Sequence, residues 1–281
     1  MTAPIGIFDS GVGGLTVARR VADRLPAESL LYLGDTARVP YGNKSSETVQ
    51  RYSINVTRHL RRLGAKALVI ACNTASAHAL ELLADTYAPV PVIGVIAPVA
   101  QQAARTTQTG AVGVIGTRGT ISSGAYTRAL HRHDPQIEVH ALPCPLFVPL
   151  AEEGWTEGSI PTEVARTYLA PLAHTPIDTL ILGCTHYPLL APIIRQVVHE
   201  LTGREVHVLD SAAATSDMLA DTLDDLGLCA DDDTAPEHRV LVTDSSSAFV
   251  EACGRFFGAP VGDVQHIDLD IVPTAFTEGQ A

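Results

Sequence analysis

Short apolar segments alternate with helical stretches along most of the 281 residues, and this alternation restricts the fold more than any other feature. Segments such as ALVIA (67–71) and TLILG (179–183) are continuously apolar, which is typical of parallel strands covered on both faces. The stretch from Ser46 to Leu63 places its apolar residues on one side, as a helix packed on a sheet does. The pattern therefore predicts an α/β fold with mainly parallel, doubly wound sheets of the Rossmann-like or flavodoxin-like kind.

The alternation restarts after Pro98, and the two series resemble each other. In each series an early strand ends at a polar residue, Asp9 or Thr117, and a later strand ends in a cysteine, Cys72 or Cys184. Related patterns recur in unrelated α/β proteins, so this likeness alone does not establish a duplication. We predict two domains, residues 1–97 with 208–281 and residues 98–207. The segments after Glu205, which begin with VHVLDS (206–211), should complete the sheet of the first domain.

Charge and composition exclude several classes of protein. The formal net charge is −12, and the 19 Lys and Arg form no basic run, so we expect no nucleic-acid partner. The longest mostly apolar run, APVPVIGVIAPVA (88–100), is too short and too rich in proline for a membrane span. The N-terminal segment has no basic region typical of a secretory signal, and five scattered cysteines fit a reducing compartment. We therefore expect a cytoplasmic protein without a membrane partner.

Polar residues cluster where the predicted strands end. Ligands of open α/β sheets bind beyond the carboxyl ends of the strands, so these residues are candidates for a binding site. The candidates are Asp9, Ser10, Tyr41, Gly42, Cys72, Asn73, Thr74, Cys184, Thr185 and His186.

Two of the five cysteines have matching settings. Cys72 and Cys184 each follow an apolar strand and precede a predicted helix start, where backbone N–H groups should make a thiol ionise more readily. We interpret Cys144, Cys229 and Cys253 as inert core residues. A zinc site is disfavoured because Cys-x-His alone lacks the local ligand pairs of structural zinc. A Cys-His hydrolase remains an alternative, although it leaves Cys72 without a role.

Two thiols on opposite sides of one substrate would suit inversion of a stereocentre. One thiolate removes a proton from a tetrahedral carbon, and the other thiol returns a proton to the opposite face. Asp9 suits an ammonium group, and the nearby hydroxyls and backbone donors suit a carboxylate, so the expected substrate is an amino acid. Neither lysine, Lys44 or Lys66, has the setting of a Schiff-base residue, so we predict a mechanism without pyridoxal phosphate or any other cofactor.

Five motifs carry a family resemblance over most of the chain. The sequence resembles the bacterial glutamate racemases of the aspartate/glutamate racemase superfamily in IGIFDSGVGGLTV, YLGDTARVPYGNKS, ACNTASAHAL, GTISSGAY and LGCTHYPLL. The resemblance implies two domains related by a pseudo-twofold axis, with the active site in the cleft between them. It also implies interconversion of L- and D-glutamate for peptidoglycan synthesis, without metal or pyridoxal phosphate.

The resemblance further implies roles for individual residues. Cys72 would act on D-glutamate with help from Asp9, and Cys184 on L-glutamate with help from His186. The implied glutamate-binding residues are Asp9, Ser10, Tyr41, Gly42, Asn73, Thr74, Thr185 and His186. Thr117 and Thr120 match a family pattern less closely, and Glu152 would line the cleft. We expect a homodimer. The alternatives are a racemase for aspartate or another amino acid, and a non-catalytic amino-acid-binding protein.

Overall fold

The computed structural model describes residues 3–231, 235–244, 247–258 and 264–269, in which strands alternate with helices as predicted. The strands are β1 (Ile5–Asp9), β2 (Leu30–Gly34), β3 (Ala67–Ile70), β4 (Val92–Gly94), β5 (Ala111–Gly116), β6 (Glu138–Pro143), β7 (Thr179–Gly183), β8 (His207–Asp210), β9 (His238–Val242) and β10 (Val264–His266). The α-helices are α1 (Leu15–Arg24), α2 (Ser46–Arg62), α3 (Asn73–Tyr87), α4 (Ile96–Thr106), α5 (Arg118–Ser122), α6 (Ala125–His131), α7 (Phe147–Glu152), α8 (Ser159–Leu169), α9 (Ala191–Thr202), α10 (Ser211–Asp225) and α11 (Ser247–Phe257). Short 3-10 turns cover Thr36–Arg38, Tyr41–Asn43, Ala170–His174 and Tyr187–Leu190.

The strands form two separate parallel sheets, which confirms the predicted α/β fold class. The first sheet has the order β10-β9-β2-β1-β3-β4, and the second has the order β6-β5-β7-β8. The pairings between neighbours in both sheets are parallel. Strands β1, β2, β3, β5 and β7 are buried along their full length, as expected for strands with helices on both faces.

The two sheets share a strand order. The order β2-β1-β3-β4 in the first sheet corresponds step by step to β6-β5-β7-β8 in the second. Cys72 follows β3 and Cys184 follows β7, so each cysteine lies beyond the third strand of its repeat. The sequence likeness between the halves is therefore accompanied by a shared strand order, with the two cysteines at equivalent places.

Two parts of the predicted domain division need correction. The segment 206–211 does not complete the first sheet, because β8 pairs with β7 in the second sheet. The boundary between residues 97 and 98 falls inside α4, whose buried residues pack in the same apolar cluster as β5 and β7. We keep the division into two domains as a proposal, but α4 and β8, which the predicted bounds cut, belong with the second sheet.

Of the three cysteines that were interpreted as core residues, two are buried and one is not. Cys144 and Cys253 are fully buried. Cys229 is exposed, so its assignment to the core was wrong, because it lies in the irregular segment that follows α10.

Among the helices in the described part of the chain, none combines the length and apolar character that a membrane span requires.

Candidate active site

Loops that follow the central strands of both sheets carry the candidate residues. Parallel strands all point the same way, so the loops after β1 and β3 lie at one edge of the first sheet. The loops after β5 and β7 occupy the corresponding edge of the second sheet. Direct contacts between the two sets of loops, described below, bring these edges together.

Cys72 begins helix α3 as its N-cap residue and is only 6% exposed. Its sulfur accepts a hydrogen bond from the Ala75 N–H (3.4 Å) and donates one to Ser10 Oγ (3.6 Å). Burial and then the Asp9 carboxylate raise the pKa of the thiol to about 12, despite these two hydrogen bonds. The expectation of an easily ionised thiol was therefore wrong for Cys72, because burial outweighs the helix N-terminus.

Asp9, the last residue of β1, is buried close to Cys72. Its Oδ2 accepts a hydrogen bond from the Gly11 N–H at 3.0 Å, whereas its Oδ1 has no partner among the described residues. Burial raises the pKa of this carboxyl, and the charge of His186 opposes that rise. Gly14 makes room for it, because a Cβ there would overlap the Asp9 side chain. Asp9 thus retains one free acceptor inside the site.

Cys184 has a different local setting and a different neighbour. It precedes the 3-10 turn Tyr187–Leu190 and is not the N-cap of an α-helix. Its sulfur lies 3.8 Å from Nδ1 of His186, whose Nε2 lies 3.0 Å from Glu152 Oε1 at the end of α7. Burial lowers the pKa of His186, but the contacts with Cys184 and Glu152 outweigh burial and raise it to about 10. His186 is therefore a buried imidazolium at neutral pH.

Hydroxyl and amide groups connect the two halves beside these cysteines. Thr74 Oγ1 of the first half lies 2.9 Å from Thr117 Oγ1 and 3.1 Å from Thr120 Oγ1 of the second half. The hydroxyl of Tyr126 donates to Asn73 Oδ1 at 2.6 Å, while Asn73 Nδ2 is buried and has no hydrogen-bond partner in the described part of the chain. The structure thus brings Thr117 and Thr120, which match the family pattern less closely, into contact with Thr74 beside Cys72.

Further contacts close the site on its other sides. Thr16 Oγ1 donates to the Thr185 carbonyl at 3.2 Å, which joins α1 to the loop after β7. A Cβ on Gly13 would overlap Thr185 and His186, and one on Gly42 would lie 2.7 Å from Thr117 Cβ. Both glycines are therefore required for the close approach of the two halves.

The two thiols share one electrostatic environment. The charge of Cys184 contributes to the raised pKa of Cys72, and each residue is 6% exposed. Their apolar surroundings differ, because Cys184 packs in a cluster with Tyr187, whereas Cys72 packs in a cluster with Phe8 and Tyr41.

The hydroxyl of Tyr41 already makes a hydrogen bond within the protein. Its hydroxyl donates to Asp35 Oδ2 at 2.5 Å, and Asp35 Oδ1 accepts from Arg38 Nη1 at 2.6 Å and from Thr243 Oγ1 at 2.9 Å. The structure places Tyr41 beside the site but directs its hydroxyl to this carboxylate, so the adjacent Gly42 backbone is the part of the segment that meets Thr117.

With this geometry in place, comparison with known sequences identifies the family. A sequence model of the family described as Asp/Glu/Hydantoin racemase matches residues 13–219, which include both Cys72 and Cys184. The chain belongs to this family. Racemases are isomerases, so this chain is an enzyme of that class.

Relatives and solved structures agree with this assignment over nearly the whole chain. The glutamate racemase of Geobacter metallireducens is 50% identical over 266 residues, covering 95% of this chain and 97% of the relative. The crystal structure of a glutamate racemase isoform from Bacillus anthracis is 42% identical with a TM-score of 0.89, covering 95% of this chain and 98% of that chain. The crystal structure of glutamate racemase from Francisella tularensis in complex with D-glutamate is 37% identical with a TM-score of 0.89, covering 96% and 98%.

Sequence reasoning missed three residues that contact the candidate site of this racemase-family chain. Asp35 follows β2, so the strand-end criterion that selected Asp9 would also have found it. Tyr126 carried no such signal, because it lies inside a short helix. Phe256 packs edge-to-face on His186 with ring centroids 5.1 Å apart, and its distance along the chain gave no hint of this contact.

In the described ranges, no group of side chains is suited to a metal ion, and Lys66 is not free to hold a cofactor. Those ranges contain no group of three or more His, Cys, Asp or Glu side chains arranged to hold a metal ion. Lys66 precedes β3, at the end opposite Cys72, where its Nζ lies 2.6 Å from Glu28 Oε2 and donates to the Leu228 carbonyl. This lysine is therefore committed to a structural ion pair.

Proposed function

We propose that this enzyme is a glutamate racemase that interconverts L- and D-glutamate without a cofactor. The observation that carries the proposal is the pair of buried cysteines, Cys72 and Cys184, at equivalent strand ends of the two halves of one site. The similarity to proteins named glutamate racemase supports glutamate as the substrate.

The proposed reaction is a 1,1-proton transfer between two sulfurs. In the L-to-D direction the Cys184 thiolate takes the α-proton of L-glutamate, and the electron pair of the C–H bond stays on the substrate. The Cys72 thiol then delivers its proton to the opposite face of the same carbon. The cycle ends with a Cys184 thiol and a Cys72 thiolate, which is the state that D-glutamate needs for the reverse reaction.

The neighbours of each sulfur support this assignment. The high pKa of Cys72 keeps it a thiol, ready to donate a proton, when no substrate is bound. The imidazolium of His186 can donate its Nδ1–H to the Cys184 sulfur, and Glu152 holds the ring from its other side. We assign Asp9 to Cys72 and His186 to Cys184 as the groups that assist proton transfer.

The remaining polar groups fit an amino acid with two carboxylates. The free Oδ1 of Asp9 suits the substrate ammonium, whereas the unpartnered Nδ2 of Asn73 suits a carboxylate. We assign carboxylate binding also to the hydroxyls of Ser10, Thr74 and Thr185. Further binding groups in the proposal are Tyr41, Gly42 and His186.

The cellular role follows from the proposed product. We propose that the enzyme supplies D-glutamate for peptidoglycan synthesis in the cytoplasm and acts as a homodimer, without nucleic-acid or membrane partners. We also propose that it needs neither metal nor pyridoxal phosphate, as the family resemblance implies, and the ion pair of Lys66 with Glu28 is consistent with the absence of a Schiff base at Lys66.

Racemisation in D₂O tests the proposed function directly. Purified protein with L-glutamate should lose circular dichroism while deuterium enters the α-position, and EDTA or hydroxylamine should have no effect. Cys72→Ser and Cys184→Ser should each lose at least about 100-fold in kcat, since general acid–base groups typically contribute about 100- to 10,000-fold. Cys229→Ser is the matched control, because Cys229 is exposed.

Three outcomes would contradict the proposal. Unchanged L-glutamate would indicate binding without catalysis. Faster racemisation of aspartate than of glutamate would identify a different substrate. Near-normal racemisation by either cysteine variant would remove the two-thiol mechanism.

A further inference from the structure

Tyr126 contacts one residue next to each of the two cysteines. Its ring packs over Gly183, where a Cβ would lie 2.9 Å from Tyr126 Cε2, and Gly183 directly precedes Cys184. Its hydroxyl donates to Asn73 Oδ1 at 2.6 Å, and Asn73 directly follows Cys72. One phenol of the second half therefore contacts the strand end of Cys184 and the amide beside Cys72.

This hydrogen bond selects one of the two orientations of the Asn73 amide. An amide presents an acceptor oxygen on one side and an NH₂ donor on the other, and the two orientations have nearly the same shape. In the observed orientation the phenolic hydrogen of Tyr126 reaches an acceptor. In the reversed orientation Nδ2 would face the phenolic oxygen, and the phenolic hydrogen would lose its acceptor in a buried position, which is unfavourable.

The selected orientation leaves a donor unused inside the site. Asn73 is 3% exposed, and its Nδ2 has no hydrogen-bond partner among the described residues. A buried, unpartnered donor is rare in folded proteins and is expected where a ligand supplies the acceptor. Its neighbours in the chain are Cys72 and Thr74, so the acceptor would belong to a molecule bound between the two halves.

We propose that Tyr126 is a positioning residue that fixes the Asn73 amide so that its Nδ2–H groups bind a carboxylate of the substrate. The proposal rests on the proposed glutamate racemase function. It gives Tyr126 a role in substrate binding and no role in the proton transfer. Tyr126 is buried, and burial together with the charge of Cys184 raises its pKa well above the ordinary value. The phenol therefore stays protonated and remains a donor throughout the working pH range.

The decisive variant is Tyr126→Phe, which removes the hydroxyl and keeps the ring on Gly183. A hydrogen bond to a charged group contributes about 10- to 150-fold in binding. We expect KM for both glutamate enantiomers to rise about 10-fold and kcat to stay within about 2-fold. The thermal unfolding temperature should fall by only a few degrees, because Asn73 Oδ1 loses its donor while the ring stays packed. Tyr168→Phe is the matched control, since the Tyr168 hydroxyl lies outside the site and accepts from the Leu146 N–H. A KM within about 2-fold of wild type for Tyr126→Phe would overturn the proposal.

A double-mutant cycle separates positioning from an independent contact. If Tyr126 acts through Asn73, then Tyr126→Phe should add nothing to the KM effect of Asn73→Ala. Multiplying effects would mean that Tyr126 acts by another route and would refute the inference.

Asn73→Asp provides a test that does not depend on the folding of Tyr126→Phe. With the phenol still bound to one oxygen, the second oxygen would face the substrate carboxylate and repel it, so KM should rise more than in Asn73→Ala. An equal or lower KM would count against a donor at this position. If wild type fails to racemise glutamate, the proposed function fails, and calorimetric binding of glutamate to the same variants still tests the amide orientation.

Discussion

Replacing Glu152 by Gln should lower the pKa of His186 while leaving the imidazole in place. Glu152 Oε1 lies 3.0 Å from His186 Nε2, and the ring is also held by Cys184 and by the edge-to-face contact with Phe256. Gln keeps the length of the side chain and an oxygen that can accept the same hydrogen bond. The variant therefore removes mainly a negative charge.

The size of the shift follows from this geometry. Two unit charges about 4 Å apart interact by roughly 4 kcal/mol at an effective dielectric constant near 20. The Glu152 side chain is 38% exposed, so solvent screening reduces the net effect to about 1–3 kcal/mol. Since one pKa unit corresponds to about 1.4 kcal/mol, the His186 pKa should fall from about 10 by about 1 to 2 units.

Nitrogen-15 NMR of labelled histidine measures this pKa, and Glu153→Gln is the control because Glu153 is exposed. The kinetic counterpart is the pH profile of kcat/KM, in which the alkaline limb with L-glutamate should move down by the same amount. The same raised pKa contributes stability that is full below about 6.5 and is lost as pH rises through about 10, so the variant should lose it at lower pH. An unchanged His186 pKa in Glu152→Gln would refute the reasoning.

Two predictions concern stability. Lys66→Met should cost about 3–5 kcal/mol in urea unfolding because it leaves the buried Glu28 carboxylate without its partner, and adding Glu28→Leu should restore most of that loss. Arg166→Met, which breaks an exposed ion pair, should cost far less. Asp178 has a pKa lowered to about 2, against the opposing effect of burial, by hydrogen bonds to the 107–109 loop and to the next residue's hydroxyl. Its stabilisation is therefore present above about pH 3.8 and is lost towards pH 2. Asp178→Asn should be about 1–2 kcal/mol less stable at pH 7, and the deficit should shrink towards pH 2; a constant deficit, or an equal loss in the exposed Asp85→Asn, would contradict this.

The sequence correctly predicted the structural features that depend on local order along the chain. Asp9 ends β1, and Cys72 and Cys184 lie within two residues of the ends of β3 and β7. Parallel strands place their ends at one edge, so these three positions followed from pattern and topology alone. The strand–helix alternation likewise sufficed for the fold class. These inferences required no knowledge of how the two halves dock.

Features that depend on docking could not be predicted in this way. The bond from Tyr126 to Asn73 and the contact between Glu152 and His186 join segments whose approach no local pattern encodes. The placement of β8 failed for a related reason, because a short strand carries no signal that distinguishes one sheet from another. The pKa of Cys72 was misjudged because burial is a property of the assembled fold and outweighs the helix N-terminus.

The two halves match in topology and differ in the charge that each places beside its thiol. Asp9, with a carboxyl, lies near Cys72, whereas the corresponding strand end of the second half carries Thr117. His186, a cation, lies beside Cys184, whereas Thr74 stands two residues after Cys72. An anion near one sulfur favours its thiol form, and a cation near the other can donate a hydrogen bond to a thiolate. The reaction needs one acid and one base at the same moment. The two halves share a strand order, and the difference in the neighbouring charge is what allows one thiol to act as the acid and the other as the base.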